Sequence, residues 1–153
     1  MSTSFVDFGG ETGFWINDGI LELWLRFLAL HLEEPDPGVS DHPVYAIRNR
    51  WMLASKIHFG GCSPLSLATD CADPVGKAAV IAAIHALMDE LRRDPGDLDA
   101  RTLNLLGLEG GHSVGGFPSA NLLEVGDAFL RLIAGEITTT AGDPALMPGN
   151  IRS

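Results

Sequence analysis

NDGILELWLRFLALHLEE, residues 17–34, decides the fold, because its apolar side chains repeat with the 3.6-residue period of an α-helix. At about 100° per residue, these side chains cover more than half of the helix circumference. The remaining side chains form a narrow polar stripe of Glu22, Arg26, Ala29 and Glu33. Such a helix needs neighbours on most of its sides, which predicts that it is the central helix of a domain.

His31 interrupts the apolar face of this helix, one turn from the helix end. On a helical projection it shares that face with Trp24, Phe27 and Leu28. A buried imidazole needs hydrogen-bond partners for its ring nitrogens. We therefore interpret His31 as a core histidine whose ring bonds to a backbone carbonyl or to the helix terminus.

The totals fit one domain, because a chain of 153 residues buries roughly 70% of the surface that it exposes when unfolded. The hydrophobic content of 46% is typical of a globular protein, while 18 Gly and 9 Pro indicate short elements and frequent turns. We predict an all-α fold, a single compact domain of about five helices packed around residues 17–34, with irregular Gly- and Pro-rich connections. The domain spans residues 1–137, with 1–16 as an irregular arm and 138–153 as a flexible tail. The alternative is an α+β fold with a small hairpin in the glycine-rich region.

Residues typical of helix N-termini predict two further helices. Pro43 favours a helix to about His58, with an inner face of Val44, Ile47, Trp51 and Ala54. Asp73 and Pro74 give a cap and a first helical position for a long helix to about Arg93. Its core stripe consists of Val80, Ile81, Ile84, Leu87, Met88 and Leu91.

Two shorter helices complete the prediction. Asp97 is the expected cap of a helix from Leu98 to Leu106, and Gly107 ends it. Asn121 with Glu124 resembles a capping box that starts a final helix. Its inner face comprises Leu122, Val125, Phe129, Leu132 and Ile133.

Five alanines line the side of the long helix next to its core stripe: Ala78, Ala79, Ala82, Ala83 and Ala86. Small side chains allow another backbone to approach closely. We favour an internal helix contact there, and the alternative is a homodimer through this face.

The excess of acidic over basic residues limits the classes of molecule that we expect as partners. Lys and Arg number 10 against 20 Asp and Glu, which gives a formal net charge of −10. A surface of this sign repels phosphate backbones and anionic lipid, so we expect neither nucleic acid nor membrane as a partner. It attracts a basic protein. The N-terminal sequence has no positive region followed by an apolar run, which predicts a cytoplasmic protein.

Acidic residues cluster after two of the predicted helices. Glu33, Glu34, Asp36 and Asp41 cluster at the end of the central helix, and Asp89, Glu90, Asp94, Asp97 and Asp99 cluster around the turn after the long one. All of these except Asp89 and Glu90 are the candidate partner-binding residues. Either cluster can dock a basic protein, and either can instead be a solvated loop.

The segment between His42 and Thr69 has no Asp or Glu and contains Arg48, Arg50 and Lys56. Arg50 projects onto the inner side of the second helix, where a guanidinium requires a carboxylate or several carbonyl oxygens. We predict a salt bridge to an acidic residue of a neighbouring helix. The functional alternative is an anion-binding pocket of Arg48, Arg50 and His58, which would suit an enzyme for a small molecule or an anion.

The glycine-rich loop GHSVGG, residues 111–116, fits the pattern G-x-S-x-G and resembles the nucleophile elbow of α/β-hydrolases. That resemblance implies Ser113 as a nucleophile on a strand-to-helix turn. The surrounding sequence predicts otherwise, because a helical pattern precedes the loop and Phe117 and Pro118 follow it. No histidine lies after Ser113, where that family places its base. We interpret residues 111–116 as a connector.

A metal site and a redox site are also disfavoured. His58, Cys62, Asp70 and Cys71 offer ligands that zinc accepts, but their spacing lacks the paired cysteines of structural zinc sites. Two cysteines are too few for a disulfide framework, so we expect buried free thiols. No sequence motif indicates a cofactor, and we predict none.

These observations favour a non-catalytic acidic module that binds another protein. The most concrete version is an immunity- or antitoxin-type inhibitor that covers the basic active site of a cytosolic toxin. The alternatives are the anion-binding enzyme described above and a self-associating structural protein.

Overall fold

The computed structural model describes residues 3–32, 42–54, 67–93, 97–98 and 117–140, together with residues 142 and 148. For residues 97–98 and 117–118 only the backbone is described. The account below concerns these parts of the chain. Of the candidate residues, Asp36, Asp41, His58 and Cys62 lie outside them, as does the 111–116 loop.

Helices dominate the described chain, as predicted. They are α1 (Asp18–Leu30), α2 (Pro43–Ala54), α3 (Leu67–Asp70), α4 (Pro74–Arg93) and α5 (Ser119–Ile133). Two short antiparallel pairings accompany them: β1 (Thr3–Asp7) with β2 (Gly13–Asn17), and β3 (Asp97–Leu98) with β4 (Phe117–Pro118). The strictly all-α class therefore describes the helical content and omits the strands.

The predicted irregular arm at residues 1–16 is wrong from Thr3 onward, because β1 and β2 form a regular hairpin. Its inner face buries Val6, Phe14 and Ile16 in the core. The polar Ser4 also points inward, where its hydroxyl donates to Asp18 Oδ1 at 2.5 Å. A buried serine at a strand position interrupts the apolar alternation that would have predicted a strand. The α+β alternative placed a small hairpin in the glycine-rich region, whereas the regular hairpin lies at residues 3–17 and the short β3–β4 pairing flanks that region in sequence.

Helix α1 occupies the centre of the core. The sequence offers Asn17 or Asp18 as the N-cap of this helix, and the structure confirms Asn17, whose side chain accepts from the backbone N–H groups of Gly19 and Ile20 at 2.9 and 3.3 Å. The predicted polar stripe is wrong at Ala29 and Arg26, which are buried, while Leu30 is 69% exposed. Arg26 reaches back to Glu22 Oε1 at 2.9 Å, so its charge is balanced within the helix. Burial extends around more of α1 than the polar pattern indicated.

The inner faces predicted for α2, α4 and α5 are confirmed, except that Ile81 is only partly buried. Helix α5 packs most extensively on α4 and approaches α1 at Gly126. A Cβ at position 126 would lie 2.7 Å from Met88 Sδ and 2.9 Å from the Trp24 ring. Gly126 therefore allows three helices to meet at one point.

Three local predictions are corrected. Asp97 and Leu98 belong to β3, so the predicted short helix does not start there. Helix α5 begins at Ser119, two residues before the predicted capping box at Asn121. The internal contact favoured for the alanines of α4 is right for Ala83, which is buried, and for Ala79, which packs against the core. It is wrong for Ala78, Ala82 and Ala86, which are exposed because the neighbouring helices contact the other side of α4.

The chain after α5 packs against the hairpin. Gly135, with φ of 77°, ends the helix, and Glu136 donates its backbone N–H to the Arg131 carbonyl at 2.9 Å. Ile137 is buried, and Thr139 exchanges bonds of 2.8 and 2.6 Å with the Gly13 backbone. Thr139, assigned to the flexible tail from the sequence, is therefore bonded to β2, and Thr140 pairs with Thr12 just before that strand.

Candidate functional site

His31 joins the C-terminal ends of α1 and α4. The residue caps α1, and its Nδ1 lies 2.8 Å from the Phe27 carbonyl oxygen, as the sequence interpretation required. Its Nε2 contacts the Glu90 carboxylate of α4, which the sequence did not predict. The His31 side chain is 17% exposed and that of Glu90 is 62% exposed, so the contact lies at the rim of the core.

Arg48 of α2 also contacts this end of α1. Its Nη2 donates to the Leu32 carbonyl oxygen at 3.0 Å. The last carbonyls of a helix lack partners within the helix and carry partial negative charge, so a cation is favourable there. His31 thus bonds to a carbonyl of the last turn of α1, and Arg48 bonds to the carbonyl of Leu32, two residues after the helix.

A second polar junction lies deeper, between α2 and α3. Arg50 donates from Nε and Nη2 to Asp70 Oδ1 at 2.7 and 2.6 Å. Trp51 donates its indole N–H to Asp70 Oδ2 at 2.9 Å. The predicted salt bridge of Arg50 to a neighbouring helix is confirmed, and its partner is a carboxylate with a fully buried side chain.

Burial and charge act in opposite directions on Asp70. Desolvation raises the pKa of its carboxyl above the usual value, and the bonds from Arg50 and Trp51 lower it. The net direction is upward. Both carboxylate oxygens are occupied by donors of α2, which assigns Asp70 to holding the fold together rather than to binding a ligand.

The residues of the anion-binding alternative are not brought together by any described contact. Arg48 bonds to the Leu32 carbonyl and Arg50 bonds to Asp70. His58 lies outside the described residues. The basic segment seen in the sequence therefore supplies internal partners for a helix end and a buried carboxylate.

Cys71 is a buried thiol, as predicted. Desolvation, followed by the nearby Asp70 charge, raises its pKa from 9.0 to about 11, against a smaller opposing effect of Lys77. The thiol stays protonated at neutral pH and is a poor nucleophile. In the part of the chain that the structure describes, no three His, Cys, Asp or Glu side chains are placed to hold a metal ion.

Most of the candidate partner-binding residues cannot be placed by their side chains. Glu33, Glu34, Asp94 and Asp99 lie outside the described ranges, and Asp97 is described only by its backbone pairing with Pro118. The described residues that immediately precede the two acidic segments are known, however. Residue 33 follows Leu32, and residue 94 follows Arg93 at the end of α4.

The exposed charged side chains of the described residues are mainly acidic. The cations are Lys77, Arg92, Arg93 and Arg131, and Arg92 and Arg131 approach Asp89 and Asp127 at 3.3 and 4.0 Å. The exposed acids are Asp7, Glu11, Asp73, Asp89, Glu90, Glu124, Asp127 and Glu136. Among the side chains that the structure describes, exposed carboxylates thus outnumber exposed cations, whereas Arg26, Arg48 and Arg50 are matched in number by Asp18, Glu22 and Asp70.

Comparison with known proteins gives no matching family model, no matching curated protein and no matching solved structure. Among the described helices, none combines the length and the apolar character needed to cross a membrane.

Proposed function

We propose that this chain is a non-catalytic acidic module that binds a basic protein at the end of the fold where α1 and α4 finish. The observation that carries the proposal is the contact of His31 with Glu90. It brings together the two helix ends from which the acidic segments at 33–41 and 94–99 begin. The sequence analysis treated the two acidic segments as separate binding surfaces. Because both segments begin at the same end of the fold, we propose that they contribute to one larger binding surface.

The distribution of cations supports the same proposal. On the described surface eight exposed carboxylates stand against four exposed cations, and two of these cations already approach Asp89 and Asp127. A surface of one sign steers a partner of the opposite sign and accelerates association. An inhibitor of the immunity or antitoxin type, which must cover the basic cleft of a toxin quickly, is the concrete form that we propose.

Charge reversal at two places provides the test. Affinity capture from native lysate should recover a basic protein with the wild-type chain, and high salt should release it. The variant Glu34→Lys/Asp94→Lys changes one residue of each acidic segment and should lose the capture. The matched control Glu11→Lys/Glu136→Lys makes the same change of net charge at exposed sites on the hairpin and after α5.

Two results would contradict the proposal. One is the capture of no basic protein by the wild-type chain. The other is an equal loss of capture in both double variants, which would indicate that only net charge matters.

Self-association is a second candidate, because Ala78, Ala82 and Ala86 are exposed on α4. A second copy could approach closely along this face. Light scattering of the wild-type chain and of Ala82→Glu decides the point. A dimer mass that Ala82→Glu halves would support this candidate, and an unchanged mass would remove it.

A further inference from the structure

We draw no further inference here: the strongest candidate, the exposed face of α4 formed by Val75, Ala78, Ala82 and Ala86, belongs to the self-association candidate already described, and nothing in the part of the chain that the structure describes shows what covers it.

Discussion

Two polar junctions connect helices in this protein, and they differ in depth. Arg50, Trp51 and Asp70 meet around a carboxylate with no exposed side-chain surface, whereas His31 meets Glu90 at the rim of the core. The inner junction surrounds one acceptor with donors from a single helix. The outer junction places one titratable ring between two acceptors on different helices.

The comparison shows that the burial of a junction determines how much free energy is needed to open it. A buried carboxylate with both oxygens bonded cannot lose a partner without a large cost in desolvation. A partly exposed pair regains water when it opens, so its bond costs little to break. The inner junction is therefore suited to hold the fold together, and the outer junction opens at a smaller cost in free energy.

The largest effect is expected from Asp70→Ala. It leaves the Trp51 N–H buried without an acceptor and the Arg50 guanidinium without its carboxylate. We expect the free energy of unfolding to fall by about 3–5 kcal/mol, nearer the lower value because Arg50 is partly exposed. Urea unfolding measures it. Asp127→Ala, at an exposed pair on α5, should change stability by less than about 0.5 kcal/mol, and equal losses would refute the distinction.

Cys71 tests how dry the inner junction is. In a Cys62→Ser background, alkylation of Cys71 at about pH 8 should be roughly a hundredfold slower than that of a free cysteine peptide, because each unit of pKa lowers the thiolate fraction tenfold. The pKa in the folded state lies above its unfolded value, so the folded state binds the proton more tightly. The tighter binding of this proton in the folded state contributes to the free energy of unfolding below pH 9.0. That contribution should be lost as the pH rises from 9.0 toward about 11. Mass spectrometry follows the alkylation, and a rate equal to that of the peptide would show that water reaches the thiol.

Gly76→Ala tests the close contact beside the inner junction. A Cβ at position 76 would lie 2.6 Å from the Asp70 carbonyl oxygen, and a backbone atom cannot move aside as a flexible side chain does. We expect a loss of about 2 kcal/mol in unfolding free energy. Gly10→Ala is the control, since no atom lies within 4 Å of its added Cβ. A smaller loss for Gly76→Ala than for Gly10→Ala would contradict the described packing.

The smallest effect is expected at the outer junction. Glu90→Gln should reduce the free energy of unfolding by about 1 kcal/mol or less near neutral pH, because the carboxylate is largely exposed. Thermal unfolding in parallel with Asp70→Ala gives the comparison. A loss at Glu90 that equals the loss at Asp70 would show that depth does not separate the two junctions.

The sequence predicted what depends on local pattern. The inner faces of α2 and α5, the Asn17 cap and the start of α4 at Pro74 all follow from periodicity and capping chemistry. The sequence predicted that Arg50 forms a salt bridge, because a guanidinium on an inner face requires an acceptor, but it did not identify the partner. Asp70 was considered only as a metal ligand.

What the sequence did not predict depends on contacts between distant segments. His31 and Glu90 are 59 residues apart, and no local pattern pairs them. The hairpin was hidden by the inward Ser4, whose partner Asp18 lies beyond the hairpin. The alanines of α4 are neither polar nor large, so their side of the helix could not be assigned from composition.

The ends of α1 and α4 meet at His31 and Glu90, and the acidic segments at 33–41 and 94–99 follow these ends in sequence. Pulsed electron resonance between spin labels at the exposed positions Leu30 and Asp89 measures the proximity of the two ends directly. Labels at Lys77 and Asp89 give an internal ruler, because twelve helical steps fix that distance at about 18 Å. We predict that the Leu30 to Asp89 distance is shorter than the ruler. A clearly longer distance would contradict the junction and the binding surface proposed from it.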